Sequence, residues 1–416
     1  MSRLIIEGER TLTGKILING AKNSALPIMA ACLLVEGPVK LYRIPNISDV
    51  KVMIKLLKSL GAKVTFNSKN QMTINAKNIN TTKASYELVK KIHASFDIAG
   101  PLIARFRQAE VPLPGGCVLG TRAVDMHIEG FKALGVDVVV EHGVLKAKAK
   151  NLKGARIGFR QSSVGATKNV IMAACLADGR TIIQNTACEP EVNDLVNFLI
   201  TCGAKIEGVG TRELKIEGVK KFHSCEYEII PDRIEAGTYL LAGAITQGEV
   251  TALDISPNNL GSVLDTIEHM GQKVIRDEKQ ITVIGQKPIL PVNITTFPFP
   301  GFPTDLQPQI SSVLTFAKGS SLVEETIFDG RFNYVDELRR MGANIIVKGQ
   351  TSVIEGIKNL TGAPVEATDI RAGSALVLAG LAAQGKTEIS GVEYIDRGYE
   401  KIEKRLSLLG AKIRRV

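Results

Sequence analysis

LKSLGAKVTF, at residues 57–66, has the pattern of a helix end, a glycine and the start of a strand. The pattern recurs at residues 131–140, 199–208, 267–276, 338–347 and 406–415. The glycines of the six copies are separated by 74, 68, 68, 71 and 68 residues, and they are Gly61, Gly135, Gly203, Gly271, Gly342 and Gly410. Self-similarity at a nearly constant period indicates a fold made of repeated supersecondary units.

A second glycine precedes five of these six by 23 to 25 residues and is predicted to close an earlier helix: Gly37, Gly179, Gly248, Gly319 and Gly385. In the second unit this position falls at Ala109 and Glu110, with no glycine, shortly before Cys117. The stretch PLPGGC at 112–117 is turn-forming, which predicts a loop rather than a core strand. Because functional sites are where local rules break, this copy is the first place to look for chemistry.

Each unit is predicted to contain a strand, a helix, a strand, a helix and a two-stranded hairpin. The first helix is apolar all round, as in AGTYLLAGAITQG at 236–248, so it must be buried on every side. The second is amphipathic: Val50, Met53, Ile54 and Leu57 form one stripe, with lysines opposite. The hairpins alternate polar and apolar residues, which suits sheets with one wet face. The predicted fold class is therefore α/β, a two-domain inside-out α/β barrel of six repeated βαβαββ units.

The sixth unit stops at AKIRRV and lacks its returning strand. RLIIEG at residues 3–8 matches the returning strands of units three and five, so the N-terminus is predicted to complete the last unit. With three units in each domain, the domains are residues 21–230, which carry the cysteine loop, and residues 231–416 together with 1–20. Chain crossings near Gly20 and Pro231 would join them and form a hinge.

The composition bounds the class of protein. The chain has 416 residues, 44% of them hydrophobic and 23% charged, which is typical of a soluble globular protein. No segment has the pattern of a signal peptide or a membrane helix, and the six cysteines form no CxxC pair. These features predict a cytoplasmic protein with free thiols, no structural metal and no membrane association. The net charge of +10 suits nucleic acid, but lysines spread over helix backs favour a solvated face and small polyanionic substrates.

Two polar loops in each unit lead into helix N-termini, whose unpaired backbone N–H groups suit phosphates and carboxylates. We therefore expect an anion-binding cleft between the domains. Arginines favour phosphate or carboxylate through bidentate pairing. The residues of the first loops are Lys22, Asn23, His93, Ser163, Val164, Gly165, Asp232, Arg233, Thr304, Asp305, Asp369 and Arg371, and those of the second include Arg122, Asp125, Glu189, Arg331 and Arg397.

Structural alternatives stay open for each of these residues. Asp305 follows Pro303 and Thr304 and is a ready helix N-cap as well as a candidate base. Arg397 follows Asp396, a second possible N-cap. His93 and His127 have the ordinary alternative of surface or core histidines. Cys117 could be a small buried hydrophobe, but its loop and the nearby Arg122 favour a reactive thiol.

Eight motifs, in this order, resemble the UDP-N-acetylglucosamine 1-carboxyvinyltransferases of the enolpyruvyl transferase family. They are NGAKNSALPIMAA (19–31), LPGGCVLGTRAVDMHI (113–128), SSVGAT (162–167), EPEV (189–192), PDRIEAGT (231–238), FPTDLQPQ (302–309), TDIRAGSALVLAG (368–380) and IDRGYEKIE (395–403). The resemblance covers essentially the whole chain and implies two domains of three repeats each. The sister enolpyruvylshikimate-phosphate synthases share the fold but not the cysteine loop.

The resemblance implies transfer of the enolpyruvyl group of phosphoenolpyruvate to the 3′-hydroxyl of UDP-N-acetylglucosamine, releasing phosphate, as the first committed step of peptidoglycan synthesis. It implies no metal or organic cofactor. Cys117 would be the proton donor, Asp305 the base, and Lys22 and Arg397 catalytic cations on the donor. The implied substrate-binding residues are Lys22, Asn23, His93, Arg122, Ala123, Val124, Asp125, Met126, Gln161, Ser162, Ser163, Val164, Gly165, Thr304, Asp305, Ile327, Arg331, Arg371 and Arg397.

Three positions depart from the family pattern. His93 and Gln161 stand where arginine and lysine are usual, so the diphosphate is predicted to bind less strongly or through neighbours such as Arg160. Asp97 replaces a large aromatic residue.

The rival hypotheses are a shikimate-type transferase, an RNA 3′-terminal phosphate cyclase and a DNA clamp. The clamp is disfavoured because its inner helices should be rich in lysine. The chain is predicted to act as a monomer on small molecules, without nucleic acid.

Overall fold

The computed structural model describes residues 2–113 and 124–416, which form two compact units. The N-terminal unit consists of residues 20–113 and 124–230, and the C-terminal unit of residues 2–19 and 231–416. The α-helices of the N-terminal unit are α1 Lys22–Ala31, α2 Ser48–Ser59, α3 Tyr86–Val89, α4 Ala99–Phe106, α5 Asp125–Ala133, α6 Val164–Ala174 and α7 Pro190–Thr201. Those of the C-terminal unit are α8 Arg233–Ile245, α9 Gly261–His269, α10 Gln307–Leu314, α11 Val335–Arg340, α12 Ile370–Ala382, α13 Val392–Ile395 and α14 Ile402–Leu408.

The described strands form three sheets in each unit. The strands of the C-terminal unit are β1 Leu4–Glu7, β2 Thr13–Leu17, β14 Glu249–Leu253, β15 Lys273–Asp277, β16 Gln280–Ile284, β17 Ile294–Thr295, β18 Ser320–Glu324, β19 Asn344–Lys348, β20 Thr351–Glu355, β21 Pro364–Glu366, β22 Lys386–Ser390 and β23 Lys412–Arg415. Those of the N-terminal unit are β3 Pro38–Tyr42, β4 Lys63–Phe66, β5 Met72–Asn75, β6 Gln108–Pro112, β7 Asp137–Glu141, β8 Val144–Lys148, β9 Arg156–Gly158, β10 Arg180–Gln184, β11 Lys205–Glu207, β12 Glu213–Glu217 and β13 Glu226–Glu228. Short 3-10 helices cover Cys32–Leu34, His93–Ile98, Pro257–Asn259, Thr304–Leu306 and Arg331–Tyr334.

The sheets follow one plan. Their strand orders are β13-β3-β5-β4, β6-β8-β7 and β11-β12-β10-β9 in the N-terminal unit, and β15-β16-β14-β2, β17-β18-β20-β19 and β21-β22-β1-β23 in the C-terminal unit. In each four-stranded sheet one outer strand runs parallel to its neighbour and the other pairs are antiparallel. The three-stranded sheet belongs to the second repeat, where only an isolated bridge between Lys83 and Glu110 takes the parallel place.

The apolar helices are buried, as the sequence predicts. All thirteen residues of α8 are buried, and the buried stretch of α12 runs from Arg371 to Leu381. Helices α8, α10 and α12 pack on one another, and each also packs on its own sheet. A helix that contacts helices on one side and a sheet on the other leaves no face for water. This arrangement of helices inside sheets confirms the inside-out α/β prediction within the C-terminal unit.

The amphipathic helices and their glycine ends also match the prediction. In α2, Val50, Met53 and Leu57 are buried, whereas Ile54 is only half-buried. All six repeat glycines have a positive φ, between +80° and +107°, which glycine adopts without a Cβ penalty. Of the five upstream glycines, Gly37 and Gly248 do not have a positive φ. There a Cβ would collide with a neighbouring segment, at 2.1 Å from Ser224 Oγ and 1.9 Å from the Leu12 carbonyl oxygen respectively.

The second repeat needs a correction. Its helix α4 ends at Phe106, and the C-cap residue Arg107 has a left-handed φ of +58° in place of a glycine. Ala109 and Glu110 are therefore not at the helix end but inside β6, and Pro112 still belongs to that strand. The loop predicted from PLPGGC thus begins at the earliest after Pro112, and residues 114–123 lie outside the described part of the chain.

The N-terminus completes the last repeat, which confirms the prediction for RLIIEG. Strand β1 lies between β22 and β23 and is antiparallel to both, with Leu4 opposite Ile389 and Arg415. The sequence did not predict two further exchanges. Strand β2 joins the fourth repeat beside β14, and β13 joins the first repeat beside β3. In each unit, strands distant in sequence therefore close the sheets.

Candidate active site

Two arginines of the C-terminal unit bind the Asp305 carboxylate. Arg331 donates from Nη2 to Oδ1 at 3.0 Å, and Arg371 donates from Nη2 to Oδ2 at 2.7 Å. The side chain of Arg331 is 2% exposed and that of Asp305 is 27% exposed. Two nearly buried guanidinium groups thus hold a carboxylate that still reaches solvent. The sequence predicts all three residues as site residues, and the structure brings them together.

A second carboxylate, Glu325, supports this cluster from behind and was missed by sequence reasoning. It is fully buried, and its Oε2 accepts the Thr304 hydroxyl at 2.9 Å. That hydroxyl oxygen in turn accepts Arg331 Nε at 3.0 Å. Glu325 Oε1 accepts the backbone N–H of Ile327 at 2.9 Å, which fixes the segment carrying the predicted, partly exposed Ile327 side chain. No motif around Glu325 marks it, because its role depends on partners from other elements.

Asp305 is not a helix N-cap. It lies within the 3-10 turn Thr304–Leu306, the N-cap positions of this turn and of α10 are Pro303 and Leu306, and the Asp305 carboxylate binds two arginines. Two other aspartates of the predicted loops are helix N-caps, Asp232 for α8 and Asp369 for α12. The Oδ1 atom of each accepts two backbone N–H groups of its helix. The cap of α12 places Arg371 in the first turn, within reach of Asp305.

Arg371 is held as a cation. Burial lowers the pKa of its guanidinium, but the Asp305 carboxylate, Tyr399 and Asp232 together more than offset this, so the net pKa is raised. Opposite charge at hydrogen-bond distance in a buried setting favours the charged form. Arg371 is therefore a permanent positive charge beside Asp305.

Arg397 lies just after α13 in the same unit and is half-buried. The alternative that Asp396 is a helix N-cap is wrong, because Asp396 occupies the C-cap position of α13. Its two carboxylate oxygens instead accept a bidentate pair of bonds from Arg415, each at 2.7 Å. The next residue, Gly398, faces the cluster, because a Cβ there would lie 4.0 Å from Arg371 Nη1. The role predicted for Arg397 stays a prediction.

In the N-terminal unit, Lys22 and Asn23 begin the buried helix α1. Lys22 Nζ lies 3.6 Å from Asp49 Oδ2, and the two side chains are largely buried. Asp49 is in the first turn of α2 and was not predicted as part of the site. His93 begins the 3-10 helix His93–Ile98 and is half-buried. The lysine is thus held by a carboxylate from the next helix.

The segment 160–165 leads into α6. Ser163 caps this helix, its Oγ accepting the backbone N–H of Ala166 at 3.3 Å. Val164 is partly exposed, and Gln161 and Ser162 are exposed and half-buried respectively.

The Arg160 guanidinium, proposed above as a substitute cation, is 53% exposed and forms a short ion pair with Asp125. This bond lowers the pKa of the Asp125 carboxyl group. Asp125 begins α5, where Met126 is buried and Val124 precedes the helix half-buried. Arg160 and Asp125 therefore form a charged pair beside the segment that leads into α6.

His127 is a buried core histidine. Its Nδ1 lies 3.2 Å from Asn169 Nδ2, and its ring packs edge-on against Phe96. Burial, with a smaller contribution from Lys168, lowers the pKa of His127 to about 4, so the ring is neutral at pH 7. A neutral ring can accept the Asn169 amide proton at Nδ1.

Asp97, the residue that replaces an aromatic side chain, forms an ion pair with Lys168 of α6. Lys168 Nζ donates to Asp97 Oδ2 at 3.0 Å, and both side chains are almost completely buried. Burial raises the pKa of Asp97, and the Lys168 charge opposes that rise. The departure at position 97 is thus accompanied by a partner cation 71 residues away, which the sequence alone did not connect.

Some predicted features fall outside what the structure describes. Cys117, Arg122 and Ala123 belong to residues 114–123, so their predicted roles stay predictions. In residues 2–113 and 124–416 no three His, Cys, Asp or Glu side chains cluster as metal ligands. Over the same residues, no helix combines the length and apolarity that crossing a bilayer requires.

Comparison with known proteins agrees with the motifs. The family model of EPSP synthase, 3-phosphoshikimate 1-carboxyvinyltransferase, matches residues 6–406. A UDP-N-acetylglucosamine 1-carboxyvinyltransferase 2 of Carboxydothermus hydrogenoformans is 48% identical over all of both chains. The chain belongs to the UDP-N-acetylglucosamine 1-carboxyvinyltransferase family. A second carboxyvinyltransferase of this name, from Caldanaerobacter subterraneus subsp. tengcongensis, is 47% identical over 100% of this chain and 99% of its own.

Solved structures show the same fold in other enolpyruvyl transferases. The enolpyruvyl transferase NikO from Streptomyces tendae superposes with a TM-score of 0.89 at 25% identity, covering 100% of this chain and 99% of its own. The EPSP synthase of Acinetobacter baumannii has a TM-score of 0.78 at 16% identity over the same shares, a likeness of fold alone. The prediction of an enolpyruvyl transferase fold is thus confirmed.

Proposed function

We propose that the protein transfers the enolpyruvyl group of phosphoenolpyruvate to the 3′-hydroxyl of UDP-N-acetylglucosamine and releases inorganic phosphate. The single observation that supports this most is the Asp305 carboxylate, held between Arg331 and Arg371 in a motif of the carboxyvinyltransferase family. A carboxylate oxygen accepts more than one hydrogen bond, so Asp305 can also receive a substrate hydroxyl.

The transfer needs proton movement at two places. The attacking hydroxyl loses a proton as its oxygen bonds to C2 of the donor, and C3 of the donor gains one. The resulting tetrahedral intermediate then expels phosphate and loses a proton from C3, which restores the double bond. We assign removal of the hydroxyl proton to Asp305. We assign delivery of the proton to C3 to Cys117. General acid–base groups of this kind typically contribute about 10²–10⁴-fold each.

Cations bind the phosphate and carboxylate of the donor. Lys22 and Arg397 are assigned to this role, and Arg122 joins them by its motif. Fixed positive groups stabilise the charge that builds up on the carboxylate and phosphate in the tetrahedral intermediate. For Lys22, the salt bridge with Asp49 supports the assignment, because it holds the ammonium group at the start of α1.

The acceptor side is assigned to the segments that lead into α5 and α6 and to the Thr304–Ile327 region. Ser163, Val164 and Gly165 lie at the start of α6, where backbone N–H groups favour a diphosphate. Gln161 and His93 replace the basic residues usual in the family, so we propose that the nucleotide binds with fewer direct charges. The protein is further proposed to act as a monomer in the cytoplasm, without metal or organic cofactor.

A phosphate-release assay tests the proposal. Release should require both phosphoenolpyruvate and UDP-N-acetylglucosamine, and omission of either should abolish it. Activity with shikimate 3-phosphate in place of the nucleotide sugar would favour the sister reaction and contradict the assignment. A product mass that lacks the added enolpyruvyl group would also contradict it.

A substitution of Arg331 tests the assignment of the site residues. Arg331→Lys should lower kcat/KM for UDP-N-acetylglucosamine about 100-fold, because a lysine cannot contact Thr304 and Asp305 with one rigid fork. The matched control is Arg340→Lys, an exposed arginine in an i,i+3 pair with Glu337, which should keep wild-type rates. Equal rates for wild type and Arg331→Lys would remove Arg331 from the proposed site.

A further inference from the structure

Two thiols of the N-terminal unit lie in direct contact with each other. Cys202 directly follows helix α7 and Cys225 directly precedes strand β13. Their Sγ atoms are 2.7 Å apart. Both are free thiols, as are the other cysteines among the described residues.

The backbone holds this contact in place. The N–H of His223 donates to the carbonyl oxygen of Cys202 at 3.0 Å, and the N–H of Lys40 donates to that of Cys225 at 3.0 Å. Gly203, next to Cys202, has a φ of +107°, and a Cβ there would press on the His223 ring at 3.0 Å. These backbone contacts fix the two segments that carry the cysteines, so the short distance between the sulfurs depends on main-chain packing as well as on the side-chain rotamers.

The two thiols differ in exposure and acidity. Cys202 has no exposed surface, whereas Cys225 is half-buried. The hydrogen bond to Cys225, with burial, raises the pKa of Cys202. The same contact with Cys202 lowers the pKa of Cys225, although burial acts against this. Since the thiolate is the reacting form and needs access, Cys225 is the attacking sulfur and Cys202 the resolving one.

We propose that Cys202 and Cys225 form a reversible redox pair, which a low-molecular-weight disulfide such as glutathione disulfide converts into an intramolecular disulfide. The Cys225 thiolate attacks one sulfur of glutathione disulfide, forms a mixed disulfide and releases one glutathione thiolate, which takes up a proton. Cys202 then loses its proton, bonds to the Cys225 sulfur and expels the second glutathione as a thiol. The protein gives up two electrons and two protons, and one glutathione disulfide becomes two glutathione molecules.

The disulfide would join the end of α7 to the strand that leads towards the crossing after Ile230. Disulfides that form in a reducing compartment are usually transient and either catalytic or redox-sensing. Cys32 also lies near these thiols, but it is fully buried, and burial raises its pKa, which leaves it a poor competitor for the oxidant. The inference does not depend on the proposed function, because none of its steps uses the substrates or Cys117.

Incubation of the full-length protein in glutathione redox buffers tests the pair. Samples are quenched with acid, alkylated, and measured by intact mass and peptide mapping. Wild type should lose the mass of two hydrogens and yield one linked peptide pair containing residues 202 and 225, reversed by dithiothreitol. A linkage of Cys225 to Cys32, or a stable glutathione adduct on wild-type Cys225, would overturn the proposal.

Single substitutions assign the two roles. Cys202→Ser should stop the reaction at a glutathione adduct on Cys225, and Cys225→Ser should give no linked peptide. Cys188→Ser is the matched control: Cys188 is a half-buried thiol of the same unit, whose Sγ contacts the Thr186 carbonyl oxygen, and its loss should leave the linkage intact. Because the wild-type linkage is measured without any substitution, a poorly folding variant does not leave the proposal untested.

Discussion

At the scale of single residues, the structure explains departures that the sequence only marks. Asp97 stands out from the family pattern, but its partner Lys168 is 71 positions away on another helix. A buried carboxylate without a cation would be strongly destabilising, so the two residues must be considered as one pair. Sequence reasoning finds the unusual residue because the motif is local, and misses the partner because the contact is not.

His127 gives a pH-dependent prediction at this scale. Its pKa is about 4 in the folded protein, mainly because of burial, against an ordinary value near 6.5. Between pH 6.5 and 4, His127 is therefore protonated in the unfolded chain and neutral in the folded protein. The free energy of unfolding falls as the pH drops through this range. Between pH 7.5 and 5.5 this group should cost about 1 kcal/mol of unfolding free energy. His127→Gln should remove that part of the pH dependence.

The measurement is urea denaturation followed by far-UV circular dichroism, since the chain has no tryptophan. The control is His269→Gln, an exposed histidine in the last turn of α9, which should keep the wild-type pH dependence. If His127→Gln also follows the wild-type slope, burial of a neutral imidazole is not the cause.

At the scale of elements, the sequence predicted the kinds of helix better than their ends. The apolar helices α8 and α12 are buried, and α2 is amphipathic, because burial follows the spacing of side chains along one helix. The end of α4 at Phe106 was not predicted. The C-cap residue Arg107 is left-handed, and a non-glycine residue in this conformation cannot be recognised from the sequence. For the same reason Ala109 and Glu110 were placed at a helix end instead of inside β6.

The repeat glycines give a graded prediction. Gly342 has a φ of +97° and its nearest contact, Thr361 Oγ1, would be 3.9 Å from a Cβ, so Gly342→Ala should cost about 1 kcal/mol through backbone strain alone. Gly61 has a φ of +105°, and a Cβ would lie 2.6 Å from the Asn78 carbonyl oxygen. Gly61→Ala should therefore cost about 1–2 kcal/mol more than Gly342→Ala, because a backbone atom must move.

Denaturant midpoints of the purified variants decide this order. Gly261→Ala is the control, because a Cβ there meets nothing within 4 Å and the backbone does not have the strained positive φ. It should be neutral or slightly stabilising, by at most about 0.5 kcal/mol. Equal losses for Gly61→Ala and Gly342→Ala would show that the contact with Asn78 relaxes without cost.

At the scale of the whole molecule, each unit depends on strands that are distant in sequence. Strand β1 is the central partner of β22 and β23, and β2 completes the sheet of the fourth repeat. The sequence predicted the role of β1 because RLIIEG resembles the returning strands of other repeats. It did not predict β2 and β13, because short parallel edge strands have no distinctive pattern.

Ile6 tests this closure. Its side chain is fully buried in the core of the C-terminal unit, so Ile6→Ala should cost about 2–5 kcal/mol. Because β1 pairs with β22 and β23, amide hydrogen exchange should rise in residues 386–390 and 412–415. Hydrogen-exchange mass spectrometry of the native protein measures this locally.

Ile216→Ala is the matched control, because Ile216 occupies the same repeat position in β12 and is fully buried in the core of the N-terminal unit. It should raise exchange in β10 and β11, its pairing partners, and leave residues 386–390 protected. Unchanged exchange around residue 413 in Ile6→Ala would show that the N-terminus is dispensable for the last repeat.

The amino-acid sequence was enough to predict the sixfold repeat, the buried and amphipathic helices, the completion of the last sheet by the N-terminus and the family motifs. These features are periodic or contiguous, so a linear reading captures them. The contacts between charged groups and between thiols became known from the folded structure: Asp305 with Arg331 and Arg371, Asp97 with Lys168, and Cys202 with Cys225. Such pairs depend on distances of a few ångströms between atoms, and those are set by the packing of elements that the sequence separates.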